Sequence, residues 1–126
     1  MIFKDSKAIY LQISDEICNE ILSGNYAENE RITSVREYAA MLEVNPNTVM
    51  RSYDMLQQQN IIFNKRGIGY FVSRGAIKII KQMRKDSFLK NDVNDFFQQI
   101  YSLNISKERI MEMYDKFVEK MNKKNK

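Results

Sequence analysis

Two short clusters of polar side chains stand out by type and spacing. One is Asn45, Asn47 and Thr48 with Arg51 one turn on; the other is Lys65-Arg66-Gly67, and Ser34 and Arg36 lie a little upstream of both. None of them has a general base beside it. Histidine is absent from all 126 residues, which excludes a His-based triad, a His base or a His zinc site. No metal-ligand cluster and no phosphate-cradling loop appears in the sequence. What remains is hydrogen bonding and charge. Arginine can give two hydrogen bonds to guanine O6 and N7, and asparagine two to adenine. A glycine flanked by basic residues lets backbone come close to a phosphate-lined groove. Each group also has a plainer role. Asn45 can simply cap a helix, Arg51 can simply be solvated, Arg36 can pair with Glu37 or Glu43, and Lys65-Arg66-Gly67 can be an ordinary hairpin turn.

The elements that would position these groups follow from periodicity. Ile9, Ile13, Ile17 and Ile21 recur every four residues, predicting a helix over 7–23 that Gly24-Asn25 ends. Cys18 falls beside this stripe and reads as a small core residue. A second, short helix is expected over 34–42, with Ser34 and Glu37 in capping-box spacing and Tyr38, Ala39 and Leu42 facing inward. Glu43-Val44-Asn45 makes a turn. Pro46 then opens a third helix, over 46–59, because its missing N–H would be unpaired in the first turn anyway. Val49, Tyr53 and Leu56 give that helix its inner face. Two helices joined by so short a turn are the helix-turn-helix pattern. The β-prone runs Ile61-Ile62-Phe63 and Tyr70-Phe71-Val72, joined by Asn64–Gly69, predict a hairpin after it, a wing.

The remainder reads as helical, over 76–85 and 87–103 with a bend near Asp86-Ser87. Val93, Phe96, Phe97 and Ile100 form one stripe. Ser106 can cap a last helix, with Ile105 and Ile110 stapling it, and Ile110, Met113, Tyr114, Phe117 and Met121 form a second stripe. Such stripes are core or subunit contact more readily than a ligand pocket. Lys120–Lys126 is expected to be a frayed, solvated end.

Charge is distributed unevenly. The formal net is +4, made of −4 over residues 1–30, +3 over 31–75 and +5 over 76–126. The basic surface therefore includes the polar clusters, and it implies an acidic partner. A single cysteine excludes an internal disulfide and suits a reducing cytoplasm. No apolar run is long enough to span a bilayer, and no signal-peptide pattern opens the chain.

Three stretches resemble the GntR family of bacterial regulators: Thr33-Ser34-Val35-Arg36-Glu37-Tyr38-Ala39, Val44-Asn45-Pro46-Asn47-Thr48-Val49 and Arg66-Gly67-Ile68-Gly69-Tyr70-Phe71-Val72. Ala8-Ile9-Tyr10-Leu11-Gln12-Ile13 looks like the family's first helix, so the resemblance covers about residues 3–73. The short C-terminus is similar to the YtrA subfamily, whose small helical segment makes dimers and whose members often control transporter operons. The resemblance implies that Arg36 contacts DNA, that Asn47 and Thr48 occupy recognition-helix positions, and that Arg66 and Gly67 enter the minor groove. Thr33 and Ala8 stand where the family commonly has proline. Pro46 fills a slot where other branches carry a base-reading arginine, which implies thinner direct readout.

These readings predict a mainly α chain with a small β-wing: a winged helix-turn-helix over 1–75 and a helical dimerisation segment with a basic tail over 76–126. The expected partners are double-stranded operator DNA and a second copy of the chain. The DNA-contacting set is Ser34, Arg36, Asn45, Asn47, Thr48, Arg51, Lys65, Arg66 and Gly67. The dimerisation set is Phe96, Phe97, Ile100, Ile110, Met113, Tyr114 and Phe117. No cofactor, metal or catalysis is expected, no membrane contact is implied, and the sequence names no effector. The alternative is a winged-helix protein-interaction module, which would need an apolar recognition face.

Overall fold

The computed structural model describes residues 1–125. In chain order the elements are α1 (Ile9–Leu22), α2 (Val35–Leu42), α3 (Pro46–Gln58), β1 (Ile62–Lys65), β2 (Gly69–Val72), α4 (Ala76–Ser87), a π-helical turn (Phe88–Asp92), α5 (Val93–Ser102) and α6 (Lys107–Lys124). They divide into two compact units, Met1–Arg84 and Lys85–Lys126. Lys126, at the end of the expected frayed tail, lies outside the described residues.

The first unit is built on one core. Ile13, Ile17 and Ile21 from α1 meet Tyr38 and Ala39 from α2, and Val49, Tyr53 and Leu56 from α3; Ile61, Ile62 and Val72 close it at the base of the hairpin. Burying an isoleucine completely stabilises by about 1.5–3 kcal/mol relative to leaving it in water, so the Ile13, Ile17 and Ile21 part of the α1 stripe is a main determinant of the fold. The first member of the stripe departs from the expectation. Ile9, the first residue of the helix, is 43% exposed. Gln12 is buried instead. Its amide donates to the carbonyls of Lys4 (2.8 Å) and Lys7 (2.7 Å) and accepts from Lys4 N–H, which ties down the segment before the helix. Ala8, at the N-cap of α1, offers no side-chain cap.

Local signals fix α2 and α3. Ser34 Oγ accepts from Glu37 N–H, and Asn45 Oδ1 accepts from Asn47 N–H at 2.8 Å. Such caps are each worth about 1 kcal/mol. Thr33, in the proline slot, hydrogen-bonds Tyr26 through its hydroxyl at 2.8 Å, and its carbonyl accepts from Tyr53 Oη. The entry to α2 is therefore held by side chains where a proline would have held it by ring geometry. Glu43 turns the chain in the left-handed region, at φ 56°.

The hairpin is antiparallel, pairing Ile62 with Val72 and Lys65 with Gly69. A third segment joins it. Ile32 N–H donates to Tyr70 O, and Val72 N–H donates to Glu30 O, both at 2.9 Å, so β2 is flanked on both sides.

The first unit extends past the boundary expected at residue 75, because Ala76 and Ile80 of α4 are fully buried in the same core. The start of α4 is held from a distance: the Glu28 carboxylate accepts from Gly75 N–H at 2.9 Å and Ile77 N–H at 3.3 Å. Helical structure then runs without a break to Ser102. The expected bend at Asp86-Ser87 is instead the π-helical turn just beyond it.

In the second unit, Asn104 ends α5 at φ 56°, and Ser106 Oγ accepts from Arg109 N–H to cap α6. Among the described residues α6 continues to Lys124, past Lys120 where a frayed end was expected to begin. Glu112–Lys116 and Glu119–Lys123 pair along its surface, and Lys123 and Lys124 sit at the negative end of its dipole.

Candidate nucleic-acid interface

Seen end-on, α3 sorts its side chains by angle. At about 100° per residue, the buried Val49, Ser52, Tyr53 and Leu56 leave an outward arc centred on Asn47 and Asp54, with Met50 on one flank and Arg51 on the other. All four outward residues are exposed. The flanks are held by different neighbours. The Arg51 guanidinium stacks on the Tyr10 ring of α1, 3.9 Å from its centroid. Met50 Sδ accepts from Tyr70 Oη of β2 at 3.7 Å, and the Tyr70 ring meets Tyr53 edge-on, with centroids 5.0 Å apart. Ser52 Oγ donates to Tyr10 O at 2.6 Å, fixing α3 against α1. Asp54 lies near enough to Tyr70 that its charge, together with burial as the larger cause, raises the phenol pKa.

The wing is short and basic. Ile68 N–H donates to Lys65 O at 2.9 Å, closing a turn with Arg66 and Gly67 at its centre. Gly67 has φ 79° and nothing near the place a Cβ would occupy, so glycine serves the left-handed turn, and the tip is open to solvent. The Lys65 ammonium lies 4.5 Å from the centroid of Phe71, which stacks on Phe63. Gly69 has a different constraint, since a Cβ there would come within 2.8 Å of Arg31 Nε. Arg31 thus passes across the wing base, a position that sequence spacing did not single out.

The structure brings the two expected polar clusters onto adjacent elements, since α2 and β1 both pack on α3. Arg36, Arg51, Lys65 and Arg66 are exposed, and the ion pairs among the described residues involve none of them. Arg36 therefore does not pair with Glu37 or Glu43. Ser34 and Asn45 spend an acceptor oxygen on caps, and Thr48 is half-buried. Tyr10 and Met50 belong to this surface and were missed. Cys18 stays in the core, where burial pushes its thiol up to about 11. Among the described residues there is no group of three or more acidic, Cys or His side chains able to hold a metal, and no helix long and apolar enough to cross a membrane.

Comparison with known proteins decides what this surface belongs to. Residues 9–72 match the model for bacterial regulatory proteins of the gntR family. The chain belongs to the GntR family. It is similar along nearly its whole length to the HTH-type transcriptional regulator YhcF of Bacillus subtilis, with 33% identity over 93% of this chain and 95% of that protein. It is also similar to the transcriptional repressor YtrA of Bacillus subtilis, with 36% identity over 58% of this chain and 56% of YtrA. A crystal structure of a GntR-family regulator from Bacteroides thetaiotaomicron shares 54% identity, with TM-score 0.80, covering 90% of this chain and 99% of that one. The fold is accordingly a winged helix-turn-helix followed by a helical segment, and the chain is a DNA-binding transcription regulator of the GntR family.

Proposed function

We propose that this GntR regulator works as a homodimer, of YtrA type, that binds a near-palindromic operator and represses a transporter or neighbouring operon. The observation that carries the dimer is the state of the second unit. No residue from 85 to 125 is buried, although α5 and α6 carry Phe96 at 48% exposed, Phe97 at 58%, Tyr114 at 64% and Phe117 at 59%. Folded monomers rarely leave an apolar surface of that extent in water, and α6, which carries Tyr114 and Phe117, is a regular helix capped by Ser106. A second copy presenting the same face covers it, and two-fold pairing is the commonest closed symmetry. Met113 is also exposed on α6, while Ile100 and Ile110 are half-buried; with the four aromatics they make the proposed seam.

DNA contact falls to Arg36, Asn47, Thr48, Arg51, Lys65, Arg66 and Gly67, with Ser34 and Asn45 shaping the helix starts that hold the others in place. Linking two heads raises the effective concentration of the second, so avidity can exceed single-head affinity by roughly 10²–10⁴. Repression is supported by the likeness to YtrA, itself named a repressor.

Light scattering of the full chain at tens of micromolar tests the dimer. The expected mass is twice that of one chain, and Phe117→Asp should return it to one while the first unit keeps its melting temperature. A full chain of single mass, or a Phe117→Asp variant that still pairs, would overturn the reading.

A further inference from the structure

The recognition face of α3 holds an apolar strip that hydrogen bonding and charge do not account for. Pro46 and Met50 lie four residues apart, hence side by side on one face, and both are exposed, Met50 to 40%. They flank the polar pair Asn47 and Arg51, which has the same spacing. Arg51 is drawn aside onto Tyr10. Met50 is held on the opposite flank by the Tyr70 hydroxyl, and Tyr70 is braced in turn by the buried Tyr53 ring. A methionine is ordinarily among the most adaptable of side chains, yet this one is anchored at its sulfur while its end remains open to solvent. In the major groove, the one apolar group a base pair presents is the thymine 5-methyl.

We propose that Met50 is a specificity-determining residue that reads a thymine methyl in each operator half-site, with Pro46 widening the apolar strip beside it. This deepens the operator reading above and rests on it. The polar and basic groups set affinity and orientation, whereas the Pro46–Met50 strip favours thymine over cytosine or uracil at one position without any hydrogen bond.

Replacing thymine by deoxyuridine removes that methyl and nothing else. With an operator selected from source DNA by the full chain, each major-groove thymine is replaced in turn, and affinity is read by fluorescence anisotropy. One position per half-site should lose about fourfold in affinity, the worth of one buried methyl, or about fifteenfold when both are replaced. Met50→Ala should bind the thymine and uracil operators alike, and Met50→Leu should keep most of the preference. Because Met50 lies outside the core, circular dichroism melts of these variants should match the parent. If the parent is indifferent to every replacement, or Met50→Ala keeps the full thymine preference, the proposal fails while operator binding stands. A chain that selects no fragment overturns the operator reading itself, and this inference with it.

Discussion

Among single residues, Arg51 shows how far a side chain's environment can redirect it. Its place one turn into α3 suggests base contact, but its guanidinium lies over the Tyr10 ring. That stacking contributes about 0.5–1 kcal/mol at an exposed site, and it holds the charge on the α1 side of α3, a placement that under the operator reading proposed above favours a phosphate contact over a base contact. Arg51→Ala should therefore weaken binding to all sequences alike and reduce the salt dependence by about one phosphate contact per chain. Tyr10→Leu should lose the smaller stacking contribution and leave the salt slope alone. Anisotropy titrations over a salt series separate the two, and an unchanged slope in Arg51→Ala would remove it from the contact set. Sequence alone made the caps at Ser34 and Asn45 legible, because donor and acceptor are two or three residues apart. The Arg51–Tyr10 and Met50–Tyr70 contacts span 41 and 20 positions, and no local pattern encodes them.

At the scale of elements, α2, α3 and the hairpin were legible because each carries its own start signal, inner face and turn residues. The segment at Asn29–Ile32 was not. Its partner is β2, some forty residues later, and Glu30-Arg31 carries no β-prone signature. Likewise the start of α4 has its acceptor on Glu28, 47 residues back. That contact has a pH signature. The N–H groups of Gly75 and Ile77 hold the Glu28 carboxyl below its ordinary value, so the folded state favours the charged form. The stability this confers is full above the ordinary carboxyl range and is lost as pH falls through the lowered folded value. Thermal melts from pH 6 to pH 3 should show a shallower acid decline for Glu28→Gln than for the parent. Equal slopes would mean that the contact does not hold α4. The π-helical turn at Phe88–Asp92 was foreshadowed only as a bend; a turn with i→i+5 bonding leaves no composition mark that distinguishes it from ordinary helix.

For the whole molecule, the expected order of a DNA-binding head and a helical segment is present, and the division between them shifts from Gly75 to Arg84. The shift has a physical cause: cutting after Gly75 would strip Ala76 and Ile80 from the core, so pairing is better tested with Phe117→Asp in the full chain. Apolar stripes on α5 and α6 were legible by period, but period cannot say whether a stripe is covered by its own chain. The exposure of Phe96, Phe97, Tyr114 and Phe117 supplies that answer for the single chain. The central claim is that two such heads, joined by their helical segments, read one operator. Its most direct test is a nuclease footprint of the full chain on fragments selected from source DNA. Two protected half-sites in inverted repeat, with centres about 34–36 Å apart or a multiple of that, are predicted, both lost together in Phe117→Asp at concentrations that saturate the parent. A single asymmetric half-site, or protection that Phe117→Asp leaves intact, would contradict it.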